Sequence, residues 1–199
     1  MEHIFYPTEN AEGTLIALHG TGGNEHSLLP IVKELSSKMN YLGIRGNIEE
    51  NGMPRFFRRI AEGVFDMEDL RFRTEELAEF IKSAANKYDF SLDTTYVVGY
   101  SNGANIAANL MLSVQDIAKG AILLHPMVPS RERTNVSLHG KQIFISAGTN
   151  DPLVSNQEVE ELYGMLVEKG ALTTLQWEVN GHSISLSEIE AARDWLLTI

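Results

Sequence analysis
The chain has no cysteine among its 199 residues, so a disulfide framework, a thiolate metal site and a cysteine nucleophile are all excluded. Positive charge is scarce: 16 Lys and Arg stand against 27 Asp and Glu, a net charge of −11. Nucleic-acid backbones and anionic membrane surfaces reward clustered cations, so neither is expected as a partner. No run of about 18 apolar residues occurs, which argues against a membrane span. The first residues, Met1-Glu2-His3-Ile4-Phe5-Tyr6-Pro7, put an acid where a signal peptide needs positive charge, and no apolar stretch follows. A cytoplasmic location is the resulting expectation. Internal repeats, low-complexity tracts and linkers are absent as well, and 43% hydrophobic content suffices for one sizeable core. We therefore expect a single domain over residues 1–199.

Against these absences stands one segment, Thr94 to Tyr100 followed by Ser101-Asn102-Gly103 and Ala104-Asn105-Ile106-Ala107-Ala108. A β-branched run ends in Gly99-x-Ser101-x-Gly103, and small residues follow at helix-forming positions. The pattern reads as strand, sharp turn and helix. In such a turn a strained serine stands clear of the sheet, while the flanking glycines let strand and helix approach without a Cβ clash.

Upstream, the buried-strand run Thr14 to Leu18 delivers the chain to His19-Gly20-Thr21-Gly22-Gly23-Asn24. A dinucleotide fingerprint would need glycine where Glu25 stands, and no Gly-Lys-Ser/Thr completes a Walker loop. What remains is a loop of bare backbone able to aim N–H groups at a site. Downstream, Gly120 to Leu124 and Gln142 to Gly148 are two more buried strands, the first ended by His125, the second followed by Asp151-Pro152. An alternating strand, Leu175 to Val179, precedes Gly181-His182, and helices are expected at 30–39, 66–87, 155–169 and from 185. Strands alternating with helices predict an α/β fold with a mostly parallel sheet, helices on both faces, and a site beyond the carboxyl ends of the strands. The segment Met127 to Gly140 is too short for a lid domain.

A serine hydroxyl needs a base within hydrogen-bond reach, and that base needs an acid to orient it. Ser101, then Asp151, then His182 supply nucleophile, acid and base in the α/β-hydrolase order. The oxyanion is expected to meet the backbone N–H groups of Thr21 and Asn102, with Gly22 as the fallback for Thr21. The stretch from Arg45 to Arg59 mixes glycine, aromatics and four arginines. Its functional reading is a flap in which Phe56, Phe57 and Phe65 form an apolar wall, with Arg58 or Arg59 meeting an anionic substrate group. The alternative is surface pairing of the arginines with Glu49, Glu50, Glu62 and Asp66. His19 is expected to brace the glycine loop, and no ligand spacing points to a metal.

Together, His19-Gly20-x-Gly22-Gly23, Gly99 to Ala104, Gly148-x-x-Asp151-Pro152 and Gly181-His182 resemble the phospholipase/carboxylesterase branch of the α/β-hydrolases over nearly the whole chain. Arg45-Gly46-Asn47, Phe56-Phe57-Arg58-Arg59 and Phe65-Asp66-x-Glu68-Asp69-Leu70 further resemble a bacterial subgroup of small hydrolases, some linked to quinone and hydroquinone stress. The resemblance implies hydrolysis of a small-molecule ester through an acyl-serine intermediate without a cofactor. Dienelactone hydrolases proper place a cysteine nucleophile where this chain has Ser101, which favours simple esters or thioesters, and a short, uncovered pocket with aromatic walls suggests small or short-acyl substrates. An acyl thioesterase or lysophospholipase is the alternative within the class, and a non-catalytic small-molecule binder is the alternative outside it. A homodimer is compatible with the sequence.

Overall fold
The computed structural model describes residues 1–199. A seven-stranded sheet runs in the order β1 (His3–Tyr6), β3 (Met39–Ile44), β2 (Gly13–Leu18), β8 (Thr95–Tyr100), β9 (Gly120–Leu124), β10 (Gln142–Gly148) and β11 (Leu172–Glu178). Every pairing is parallel except that of β1 with β3. β1 has no sequence signal beyond four residues at the chain end, and it serves as an antiparallel edge. At the opposite edge β11 alternates, as expected of a strand paired on one side only.

Parallel strands covered on both faces must be apolar throughout, and β2, β9 and nearly all of β8 are buried along their length. On one face lie α2 (Met67–Tyr88), α3 (Asn102–Ser113) and α4 (Asn156–Glu168), sharing a core with Leu77, Ile81, Ile106, Leu110 and Leu162. Helices α1 (Leu29–Leu35) and α5 (Leu186–Leu196) cover the other through Val32, Leu35 and Ala192. Truncating Leu77 or Ile81 to alanine would cost about 2–5 kcal/mol. No helix is long and apolar enough to cross a membrane.

The helix starts follow from local chemistry. Asp66 accepts from the Asp69 amide to open α2, and Ser185 forms a reciprocal capping box with Glu188 to open α5. At α4 the box is half made: Ser155 accepts from the Glu158 amide, but the Glu158 carboxylate turns away to the amide of Val128.

The segment between β3 and α2 folds as two small hairpins, β4 (Ile48–Glu50) with β5 (Met53–Arg55), and β6 (Arg59–Ala61) with β7 (Val64–Phe65). They stand over the carboxyl ends of the strands. No lid domain follows β9; this earlier insertion forms the roof instead.

Candidate active site
Five strands that are neighbours in the sheet, β2, β8, β9, β10 and β11, each deliver one loop to the same rim. The β8–α3 turn carries Ser101 at φ +51°, ψ −115°, a left-handed backbone that non-glycine residues adopt rarely. Its neighbours have to be glycine. A Cβ on Gly103 would lie 2.0 Å from the Leu18 carbonyl oxygen, and one on Gly99 would lie 2.5 Å from the Gly103 oxygen. The Ser101 amide is tied to the Leu124 carbonyl at 2.9 Å, which pins the turn to β9.

His182 Nε2 lies 2.8 Å from Ser101 Oγ, and His182 Nδ1 lies 2.6 Å from Asp151 Oδ2. The three side chains, from loops 50 and 31 residues apart in sequence, form one hydrogen-bonded line. Asp151 Oδ1 is occupied as well, accepting from the amides of Leu153 at 2.8 Å and Val154 at 3.3 Å. Burial works to raise the Asp151 pKa, but His182, the Leu153 amide and His125 outweigh it, holding the carboxyl below its ordinary range.

Thr21 and Asn102 both line the cleft beside Ser101, and neither backbone N–H is engaged by another backbone group. The fallback donor is not available: the Gly22 amide is donated to the Pro54 carbonyl at 2.9 Å. This bond ties the glycine loop to the first hairpin. Arg55 adds a second tie, donating Nη1 to Thr21 Oγ1 at 2.8 Å. His19 braces the loop from below, its Nδ1 2.6 Å from the Gly20 oxygen and its Nε2 accepting the Gly46 amide at 3.1 Å. Burial lowers the His19 pKa, consistent with a neutral ring that donates on one side and accepts on the other.

The cleft at Ser101 encloses about 300 Å³. Phe65 lines it as expected, with Arg55, Arg59, Glu62, Asn105 and Met127. Three expected lining residues lie elsewhere. Phe56 and Phe57 are fully buried in the main core, because the Phe56 amide is held by Asn102 Oδ1 at 2.8 Å and both rings turn inward. Arg58 points away toward α2, its amide on Asp69 Oδ2 at 2.7 Å and its guanidinium on Asp66 at 3.2 Å. The other arginines are paired too: Arg55 and Arg59 share Glu50, and Arg45 meets Glu25 and Glu2. The ion-pair reading of this segment holds in part: Glu50 and Asp66 take arginines while Glu49 and Glu62 take none, Arg55 is buried and not at the surface, and Arg59 also lines the cleft.

The rim also holds Tyr100, which escaped the sequence reading and whose hydroxyl donates to the His182 carbonyl, and the buried pair of His125, which ends β9, and Glu188, the capping partner of Ser185. His125, Asp151 and His182 bring potential ligand atoms within 4.8 Å of one another. Two ligands about 2.1 Å from one tetrahedral ion would lie more than about 3 Å apart. At 2.6 Å, His182 Nδ1 and Asp151 Oδ2 have the spacing of a pair sharing a proton.

Residues 51–190 match the dienelactone hydrolase family. Over 195 residues, 98% of this chain and 97% of its relative, the sequence is 48% identical to the protein MhqD of Bacillus subtilis (strain 168). The structure of a Bacillus cereus carboxylesterase superposes with a TM-score of 0.97 at 49% identity, covering 100% of this chain and 94% of that one. YahD, solved with malic acid, superposes with a TM-score of 0.94 at 30% identity, covering 99% and 98% of the two chains.

Proposed function
The chain belongs to the dienelactone hydrolase family, and from that membership and the rim geometry we propose that it is a serine carboxylesterase acting on small or short-acyl esters. One observation carries this reading: a serine hydroxyl on a strained elbow, 2.8 Å from an imidazole that is itself 2.6 Å from a buried carboxylate.

In the first half-reaction His182 Nε2 takes the Ser101 proton as Oγ bonds to the ester carbonyl carbon. The resulting oxyanion is met by the N–H groups of Thr21 and Asn102; losing one such donor typically costs about 10²- to 10³-fold in turnover. Collapse breaks the bond to the alkoxy oxygen, which leaves as the alcohol with the proton from His182. A water molecule then attacks the acyl-serine with His182 as base, the acid departs, and Ser101 regains its proton. Asp151 holds the imidazole and stabilises its cation at each step.

Size supports the substrate class. A cleft of about 300 Å³ is at the small end for ligand sites. The 49% identity to the Bacillus cereus carboxylesterase supports ester chemistry, and malic acid, with which YahD was solved, is a small acid of a size that such a cleft admits.

A fluorophosphonate probe tests the nucleophile: wild type is labelled and Ser101→Ala is not. Folded wild type that resists labelling overturns the reading. A nitrophenyl ester series then tests the class, with kcat/KM expected to fall steadily beyond short acyl chains.

A further inference from the structure
Behind the serine, imidazole and carboxylate lies a second histidine that the reaction as written does not use. His125 follows β9 directly, is 1% exposed and has φ +53°. Its amide is fixed to the Ser146 carbonyl at 2.8 Å. The ring lies between two buried carboxylates: Nδ1 is 3.4 Å from Asp151 Oδ2, the oxygen that also meets His182, and Nε2 is 2.9 Å from Glu188 Oε1. The second contact lies off the N–H direction, so it is an ion-pair contact more than an aligned hydrogen bond. Two further rings face it, His182 at 5.3 Å and Tyr100 at 6.1 Å between centroids.

Glu188 is as constrained as the ring. It is wholly buried in the first turn of α5, with Oε1 accepting from the Ser146 hydroxyl and Oε2 from the Ser185 amide at 2.6 Å. A neutral imidazole has one N–H and one lone pair, so one of the two carboxylates would face that lone pair at contact distance. Two buried carboxylates flanking an uncharged ring would be strongly disfavoured. Only the doubly protonated ring presents a positive edge to both.

We propose that His125 is held as an imidazolium at neutral pH, a buried cation that fixes Asp151 in its ionised form and in place against the catalytic imidazole. It acts through Asp151 as a positioning residue and touches no substrate. Burial by itself would push the His125 pKa down, but Glu188 and then Asp151 outweigh that and raise it. Both carboxylates are held below their ordinary ranges, against the effect of their own burial. A cation beside Asp151 Oδ2 keeps that oxygen a charged acceptor for His182 Nδ1. The consequence for rate rests on the esterase reading; the charge of the ring does not.

The two are separated by two measurements. Nitrogen-15 NMR of uniformly labelled wild type, with His125 assigned by through-bond correlation, is expected to show both ring nitrogens protonated at pH 7.5. A neutral tautomer there overturns the proposal whatever the activity. In His125→Asn, Asp151 loses the cation that helps to hold it ionised, so the acidic limb of kcat/KM for a short nitrophenyl ester should move up by roughly one to two pH units. At pH 6 that is a loss of about 10- to 100-fold that narrows by pH 8.5. A folded variant with an unmoved acidic limb overturns the role in the reaction, whereas wild type without esterase activity but with a doubly protonated ring overturns the esterase reading alone.

Discussion

Tyr100 donates its hydroxyl to the carbonyl oxygen of His182 at 2.7 Å. The residue before Ser101 thus holds the backbone of His182, the base proposed to activate it. Burial, with Asp151 and Glu188 nearby, raises the Tyr100 pKa, so the phenol keeps the proton it donates. In Tyr100→Phe the His182 loop loses this tether. We expect kcat to fall about 10- to 100-fold while thermal stability drops by only a few degrees, the scale of one hydrogen bond in a chain of this length. Steady-state kinetics beside thermal denaturation checks both; unchanged kcat would mean that the loop is positioned without the phenol.

A second restraint joins the acid loop to the base loop. A Cβ on Gly148 would lie 2.0 Å from the Gly181 carbonyl oxygen, and backbone has no side-chain torsion with which to yield. Gly148→Ala should force the loops of Asp151 and His182 apart and lower kcat by about 10²-fold. A crystal structure of the variant is expected to show the 2.6 Å Nδ1 to Oδ2 contact lengthened.

Gly164 provides the contrast. It lies within α4, and an added Cβ would meet nothing within 4 Å. Gly164→Ala should stabilise the protein by about 0.5–1 kcal/mol through helix propensity, read as a small rise in Tm with kinetics unchanged.

Asp151→Asn keeps the size of the side chain and removes its charge. Turnover is expected to fall by up to about 10⁴-fold with circular dichroism unaltered. Activity near wild type would move the orienting acid to another residue.

The buried carboxylates and His125 give opposite pH dependences of stability. Asp151 and Glu188 have folded pKa values below their ordinary 3.8 and 4.5, so their contribution is present above those values and is lost as pH falls through the folded ones. His125 is raised above 6.5, so its contribution is full below 6.5 and is lost as pH rises through the folded value. Thermal denaturation from pH 3 to 9 should therefore show Tm falling on both sides of a mildly acidic maximum. His125→Asn should flatten the alkaline side.

Legibility in the sequence tracked how local each cause was. Ser101 and Asp151 were readable because each follows a strand apolar enough to be buried on both faces, His182 because it turns after an alternating edge strand, and chain order suggested the role proposed for each. Glu188 was readable only as the partner of Ser185; its carboxylate has two oxygens, and what the second one meets depends on β10 and His125, far away in the chain. Phe56 and Phe57 misled for a related reason. Aromatics beside arginines resemble a cleft wall, yet their direction is set by the Asn102 carbonyl oxygen taking the Phe56 amide, a contact 46 residues distant. β1 was invisible because four residues at a sheet edge carry too little pattern to read.

The second hairpin of the roof, Arg59 to Phe65, supplies four lining residues to the cleft, yet Ile60 and Val64 face solvent and only Phe65 leans on the core, through Phe57. Apart from Arg59 on Glu50, its anchors lie outside it, at Arg58 on Asp69 and Phe56 on Asn102. That makes it an exchangeable cassette: replacing the residues between Arg59 and Phe65 alters the lining of the cleft without touching the contacts among Ser101, His182 and Asp151 beneath.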